Sequence, residues 1–140
     1  MTFRVTRFHD ISCGHRIYKH KSRCAHLHGH NYRIHFTCEG PISSDDMVID
    51  FSDIKSALCT WLDNNWDHKF LLWDQDPLYP TLKACDPLGV IAVPFNPTAE
   101  NMAYYLVEVL GKDVFKESPI RLVEVLVQET AKSSALYSLV

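Results

Sequence analysis

The sequence predicts an α+β domain, with an antiparallel sheet of four strands and two helices on one of its faces. Three observations carry this: a strictly alternating stretch at residues 32–39, two segments with helical apolar spacing starting near residues 51 and 98, and an apolar closing stretch at residues 120–129. The 140 residues suffice for one domain spanning residues 1–140. With 46% hydrophobic and 22% charged residues the composition is that of a folded globule, not of a disordered or fibrous chain.

Taken in order, Phe3 and Val5 alternate with polar neighbours as a short first strand, and residues 11–23 form an irregular basic loop or continue that strand. Tyr32, Ile34, Phe36 and Cys38 then alternate with Arg33, His35, Thr37 and Glu39 until Gly40-Pro41 ends the run. Residues 47–50 read as a further edge. A helix over residues 51–66 places Ile54, Ala57, Leu58, Trp61 and Leu62 on one face, with Asp50 or Ser52 as its cap. Five prolines between residues 73 and 97 predict loop there, interrupted only by a strand at residues 90–93. Thr98 caps the second helix, whose buried stripe is Ala99, Met102, Ala103, Leu106 and Leu110, with Gly111 as its stop. Residues 120–129 are apolar enough for a central strand.

The net charge of −3 argues against a general nucleic-acid binder, and no apolar run is long enough to span a membrane. Five cysteines without dense spacing do not suggest a disulfide framework, and the charged first residues lack the apolar core of a secretory signal. The expectation is a cytoplasmic protein with reduced thiols.

Seven of the eight histidines fall between residues 9 and 35. On an extended chain His28 and His30 point to the same side, and Gly29 between them removes a side chain. Their parity continues into Tyr32, Ile34 and Phe36, so the pair ends a core-facing row where histidines without partners would be costly. His15, on an adjacent strand, can add a third nitrogen. Three histidines with no forced fourth ligand describe a catalytic zinc site with an open position. Cys24 leaves two readings open: a closed Cys-His-His-His site, or a thiol beside a three-histidine zinc where it serves as a base. His9, His20, His26 and His35 have no comparable geometry.

Asp67-His68 pairs a carboxylate with an imidazole and makes His68 a candidate proton carrier, against the plainer reading of a polar helix end. Glu129 shares the parity of Val123, Val125 and Val127, and a carboxylate in that row needs a partner, such as the two-donor edge of a pterin or guanine. Residues 11–38 contain no acid, and the basic residues from Arg16 to Arg23 are candidates for holding a phosphorylated substrate.

In order along the chain, Gly14-His15-Arg16, Cys24 through His28-Gly29-His30-Asn31-Tyr32, Met47-Val48-Ile49-Asp50-Phe51, Asp67-His68, Asn96-Pro97-Thr98-Ala99-Glu100-Asn101 and Val127-Gln128-Glu129-Thr130 resemble the 6-carboxytetrahydropterin synthases and their 6-pyruvoyltetrahydropterin synthase relatives. The resemblance implies a tunnelling fold whose subunits join edge to edge into a barrel, commonly a homohexamer of two stacked trimers with active sites between subunits. It also implies zinc on His15, His28 and His30, Cys24 as the proton-abstracting thiolate, Asp67-His68 as the acid/base unit and Glu129 as the pterin anchor. The short interval from Cys24 to His28 resembles the carboxy branch, whose implied reaction converts 7,8-dihydroneopterin triphosphate to 6-carboxy-5,6,7,8-tetrahydropterin with loss of acetaldehyde and triphosphate. Pyruvoyl-forming activity and a non-catalytic, zinc-stabilised pterin-binding module are the alternatives. Cys13, Trp66 and Leu72 depart from the residues usual in these relatives.

Overall fold

The computed structural model describes residues 2–21 and 23–139. Its sheet has six strands: β1 (Phe3–His15), β2 (His28–Gly40), β3 (Phe70–Trp73), β4 (Val90–Val93), β5 (Arg121–Thr130) and β6 (Ser133–Ser138). They lie in the order β4-β3-β1-β2-β5-β6. Four of them, β1, β2, β5 and β6, are antiparallel neighbours, while β3 lies parallel to β1 and β4 parallel to β3. The expected four-stranded antiparallel sheet is therefore a six-stranded mixed one.

The differences have local reasons. Ile11, Cys13 and His15 keep the inward parity of β1 and are buried, so of the two readings for residues 11–23 the continued strand holds as far as His15. β6 was not expected because its six residues are half serine and, of its apolar ones, Ala135 and Tyr137 turn toward the core while Leu136 points out. Residues 47–50 form no strand. Helix α2 (Tyr79–Cys85) stands in the proline-rich stretch because Pro80 occupies its first turn, where a backbone N–H has no helical partner to lose.

Helix α1 (residues 51–65) starts on Asp50, whose carboxylate accepts the Ser52 N–H at 2.8 Å. Helix α3 (residues 99–114) starts on Thr98, whose Oγ1 accepts the Asn101 N–H at 3.1 Å. Each helix loosens to π geometry midway, at Lys55–Cys59 and Leu106–Gly111. Gly111 does not stop α3. It lies buried within the helix, and a Cβ there would stand 2.8 Å from Leu122 Cδ2, so glycine lets the helix lie against β5.

Both long helices cover one face of the sheet. Ile54, Leu58, Leu62, Met102 and Leu106 share a buried cluster with Ile11, Tyr32, Ile34, Phe36, Val125 and Val127. No described helix is long and apolar enough to cross a membrane.

Arg16 is tied into this frame. Its Nε and Nη2 donate to the two oxygens of Asp76 at 2.8 and 3.0 Å, and the Asp76 side chain has no solvent exposure. Removing one partner of such a pair strands a buried charge, so Arg16→Ala is expected to lower unfolding stability by about 3–5 kcal/mol. Urea denaturation checks this, and wild-type stability in the variant would contradict it.

Candidate metal centre and its surroundings

Register brings the histidines together. In the β1–β2 ladder His15 faces His28 and Cys13 faces His30, and one ligand nitrogen from each of His15, His28 and His30 lies within 4.8 Å of the others. Two of the rings are oriented by backbone carbonyls. His15 Nδ1 is 2.7 Å from the Pro97 carbonyl and His28 Nδ1 is 2.8 Å from that of His26. A carbonyl only accepts, so both Nδ1 atoms carry the proton and both Nε2 atoms present lone pairs. Those lone pairs face each other at 3.1 Å, a repulsive arrangement without a cation between them. Nitrogens about 2.0–2.1 Å from a tetrahedral zinc lie about 3.3 Å apart, so this donor set fits such an ion.

Burial holds both His15 and His30 below their ordinary value of 6.5, although the Pro97 carbonyl and Glu129 pull His15 the other way, as Glu129 does His30. The rings are thereby kept in the neutral form that ligates. The glycines beside them allow the strands to close up: Gly14 faces Gly29, and a Cβ on Gly29 would come 3.1 Å from the Cys13 carbonyl oxygen.

Glu129 completes the cluster from β5. It lies where the β5–β6 register slips, between Gln128 and Thr130, an irregularity of the kind that re-aims side chains. Its Oε1 is 3.5 Å from His15 Nε2 and 3.6 Å from His30 Nε2, and it accepts from the buried Tyr32 hydroxyl at 3.5 Å. The carboxylate also borders a recess of about 310 Å³ shared with Ala99 and Glu100. The Tyr32 hydroxyl is thus the donor that the carboxylate meets in its row.

Cys24 is not part of the three-histidine group. It sits half-buried in a short 3₁₀ turn, Arg23–Ala25, and its carbonyl accepts the Ile17 N–H at 2.9 Å. The metal-binding group among the described residues is His15, His28 and His30 without it, which favours the three-histidine reading over the closed one.

Asp67 and His68 follow α1. Asp67 Oδ1 accepts the Ser12 N–H at 2.9 Å and Oδ2 lies 3.0 Å from His68 Nδ1. His68 holds a left-handed backbone at φ 58°, secured by its N–H to the Ser12 carbonyl at 2.7 Å, and its side chain is 81% exposed. It borders an open cleft of about 460 Å³ together with His30, Gly14, Gly29 and Asn31. His68 and His30, far apart in the chain, thus border one cleft.

Burial raises the Asp67 carboxyl, but the Ser12 N–H and His68 more than offset this and leave it below 3.8. Such a group contributes stability that is whole above 3.8 and is lost as the pH falls through its lower folded value. Asp67→Asn is expected to flatten that acid limb, as read from urea midpoints below pH 3.8. An unchanged limb would contradict the assignment.

Sequence reasoning missed the backbone acceptors at His26 and Pro97, for which residue types carry no signal, and took Tyr32 as core only. The Asn96-Pro97-Thr98 segment has visible work. Asn96 accepts the Tyr18 N–H and donates to the Tyr18 carbonyl, both at 3.0 Å, and Pro97 orients His15. Of the expected bystanders, His9 joins Asp63 at 2.7 Å and His35 lies against Phe8. Trp66 and Leu72 are buried in the core, which accounts for both as packing residues.

The chain matches the family model described as 6-pyruvoyl tetrahydropterin synthase over residues 4–139. A 6-carboxy-5,6,7,8-tetrahydropterin synthase of Aquifex aeolicus is 31% identical, with 98% of each chain covered. A 6-pyruvoyl tetrahydrobiopterin synthase of Drosophila melanogaster is 34% identical over 80% of this chain and 58% of its own. Among solved structures, an uncharacterized protein from Wolinella succinogenes shares the fold with a TM-score of 0.85 at 23% identity, covering 99% of this chain and 98% of that one. The 6-pyruvoyl tetrahydropterin synthase of Plasmodium falciparum does so at 0.74 and 23%, covering 97% and 96%. The ordered histidines on β1 and β2, the fold and the full-length match agree: the chain belongs to the 6-pyruvoyl tetrahydropterin synthase family of enzymes.

Proposed function

We propose that this enzyme converts 7,8-dihydroneopterin triphosphate to 6-carboxy-5,6,7,8-tetrahydropterin with release of acetaldehyde and triphosphate, using zinc, at an early step towards queuosine and other 7-deazaguanines. The observation that carries the reading is the three-histidine group with Cys24 outside it, in a chain 31% identical along its length to a protein of that name.

His15, His28 and His30 would hold the zinc, which when bound supplies a Lewis acid that binds and acidifies the substrate's side-chain hydroxyls. Glu129 accepts the amino and ring N–H edge of the pterin. Cys24, as the thiolate, takes a proton from the side-chain carbon, and His68, oriented by Asp67 at 3.0 Å, gives or takes the other. Arg16 is committed to Asp76, so the triphosphate falls to Lys19, Lys21 and Arg23 of the same segment. Cys24 lies outside the histidine group on its own short turn, which supports sites completed by a neighbouring subunit in a homohexamer. The outer edges of β4 and β6 are open to such pairing. Five unpaired cysteines are in keeping with the cytoplasm.

The Drosophila relative favours one second reading, formation of a pyruvoyl product. Mass spectrometry of the product made from dihydroneopterin triphosphate decides. A carboxyl-substituted pterin with stoichiometric acetaldehyde is expected, and a product retaining a three-carbon side chain would replace this reading with the second.

A further inference from the structure

We propose that Glu129 occupies two positions: in the substrate-free protein its Oε1 closes the fourth position of the metal held by His15, His28 and His30, and it vacates that position when a pterin binds. The proposal rests on the metal and pterin-anchor readings above and adds a coupling between them.

The spacing is the first argument. Oε1 stands 3.5 Å from His15 Nε2 and 3.6 Å from His30 Nε2, close to the about 3.3 Å between atoms that share a tetrahedral zinc. His28 Nε2 stands at a comparable 3.1 Å from the His15 nitrogen. Charge is the second. His15 Nε2 presents a lone pair, since its Nδ1 proton is committed to Pro97, and the carboxylate oxygen is also an acceptor. The Tyr32 hydroxyl has one proton to offer, while it lies 3.5 Å from Oε1 and 3.3 Å from each His15 nitrogen. Among the described residues the ionisable groups within 4 Å of the Glu129 carboxylate that could carry positive charge are His15 and His30 alone, and its side chain is 24% exposed. A largely sheltered carboxylate facing the His15 lone pair, with no lysine or arginine paired to it among the described residues, is an arrangement that a shared cation resolves.

The position of the group is the third argument. Glu129 lies at the register slip between Gln128 and Thr130, and it borders the recess with Ala99 and Glu100 as well as the histidines. One carboxylate thus faces both the metal position and the space beside it. A pterin edge that draws it away frees a coordination position for the substrate's hydroxyls, and an external ligand arriving without a pterin meets a site that is only fractionally open.

The test uses the cobalt-substituted protein and azide, followed by the visible cobalt absorption. Azide binding to the wild type is expected to be weak, and about tenfold or more tighter in both Glu129→Gln and Glu129→Asp, because the fraction of open sites sets the apparent affinity. A pterin lacking side-chain hydroxyls is expected to tighten azide binding in the wild type and leave Glu129→Gln unchanged. Cobalt stoichiometry and thermal midpoint establish that each variant holds its fold. Azide affinities equal within about twofold in all three proteins would overturn the proposal. Tightening in Glu129→Gln alone would also overturn it, since the aspartate keeps the charge and shortens the reach. Pterin affinity of Glu129→Gln, read separately by fluorescence, tests the anchor reading: undiminished affinity sinks that reading while the azide comparison still judges the metal contact.

Discussion

His28→Ala is expected to lose its metal and its turnover together while keeping its fold. His28 shares with His15 the 3.1 Å pair of lone pairs, and its ring is held by the His26 carbonyl, so the substitution removes one of the three donors proposed to hold the metal. Loss of a partner that merely orients a ligand costs about 10–100-fold in metal affinity, and loss of the ligand itself is expected to exceed that. The cost to the fold is small because His28 is half-exposed at the end of β2 and pairs with β1 through its backbone. Metal analysis after dialysis, acetaldehyde release and circular dichroism check the three parts. Stoichiometric metal in the folded variant would remove His28 from the ligand set.

Cys24→Ala is expected to do the opposite: metal content unchanged and turnover lower by about 10²–10⁴-fold, the range over which a positioned proton-transfer group acts. The expectation follows from the separation of Cys24 from the histidine group on its own short turn. Wild-type turnover would end the assignment of the thiol as base. Loss of metal would instead restore the closed Cys-His-His-His site.

How much was legible differs from residue to residue, for physical reasons. That His28 and His30 share a face, and that Glu129 sits in an apolar row, follows from the two-residue period of a strand and needs no tertiary information. The caps at Asp50 and Thr98 are likewise local, since a short polar side chain satisfies N–H groups two or three residues ahead. The parallel pairing of β3 between β1 and β4 was beyond reach, because β3 and β4 are four residues each and pair with strands far away in the chain or across the α2 crossover. Arg16 read as a phosphate ligand because its charge was visible and Asp76, sixty residues away, was not.

The sequence by itself determined the chemistry available to this protein: three imidazoles at strand spacing, a nearby thiol, an Asp-His pair and a carboxylate on the core-facing parity. Those are properties of residue type and local period. Only the tertiary structure decided how they are used. The ladder sets His15 opposite His28, the carbonyls of Pro97 and His26 leave Nε2 as the free nitrogen of each ring, and Glu129 meets the cluster at the register slip in β5. Such choices depend on hydrogen bonds between groups far apart in the chain, made by backbone atoms that every residue possesses, and so no residue type announces them.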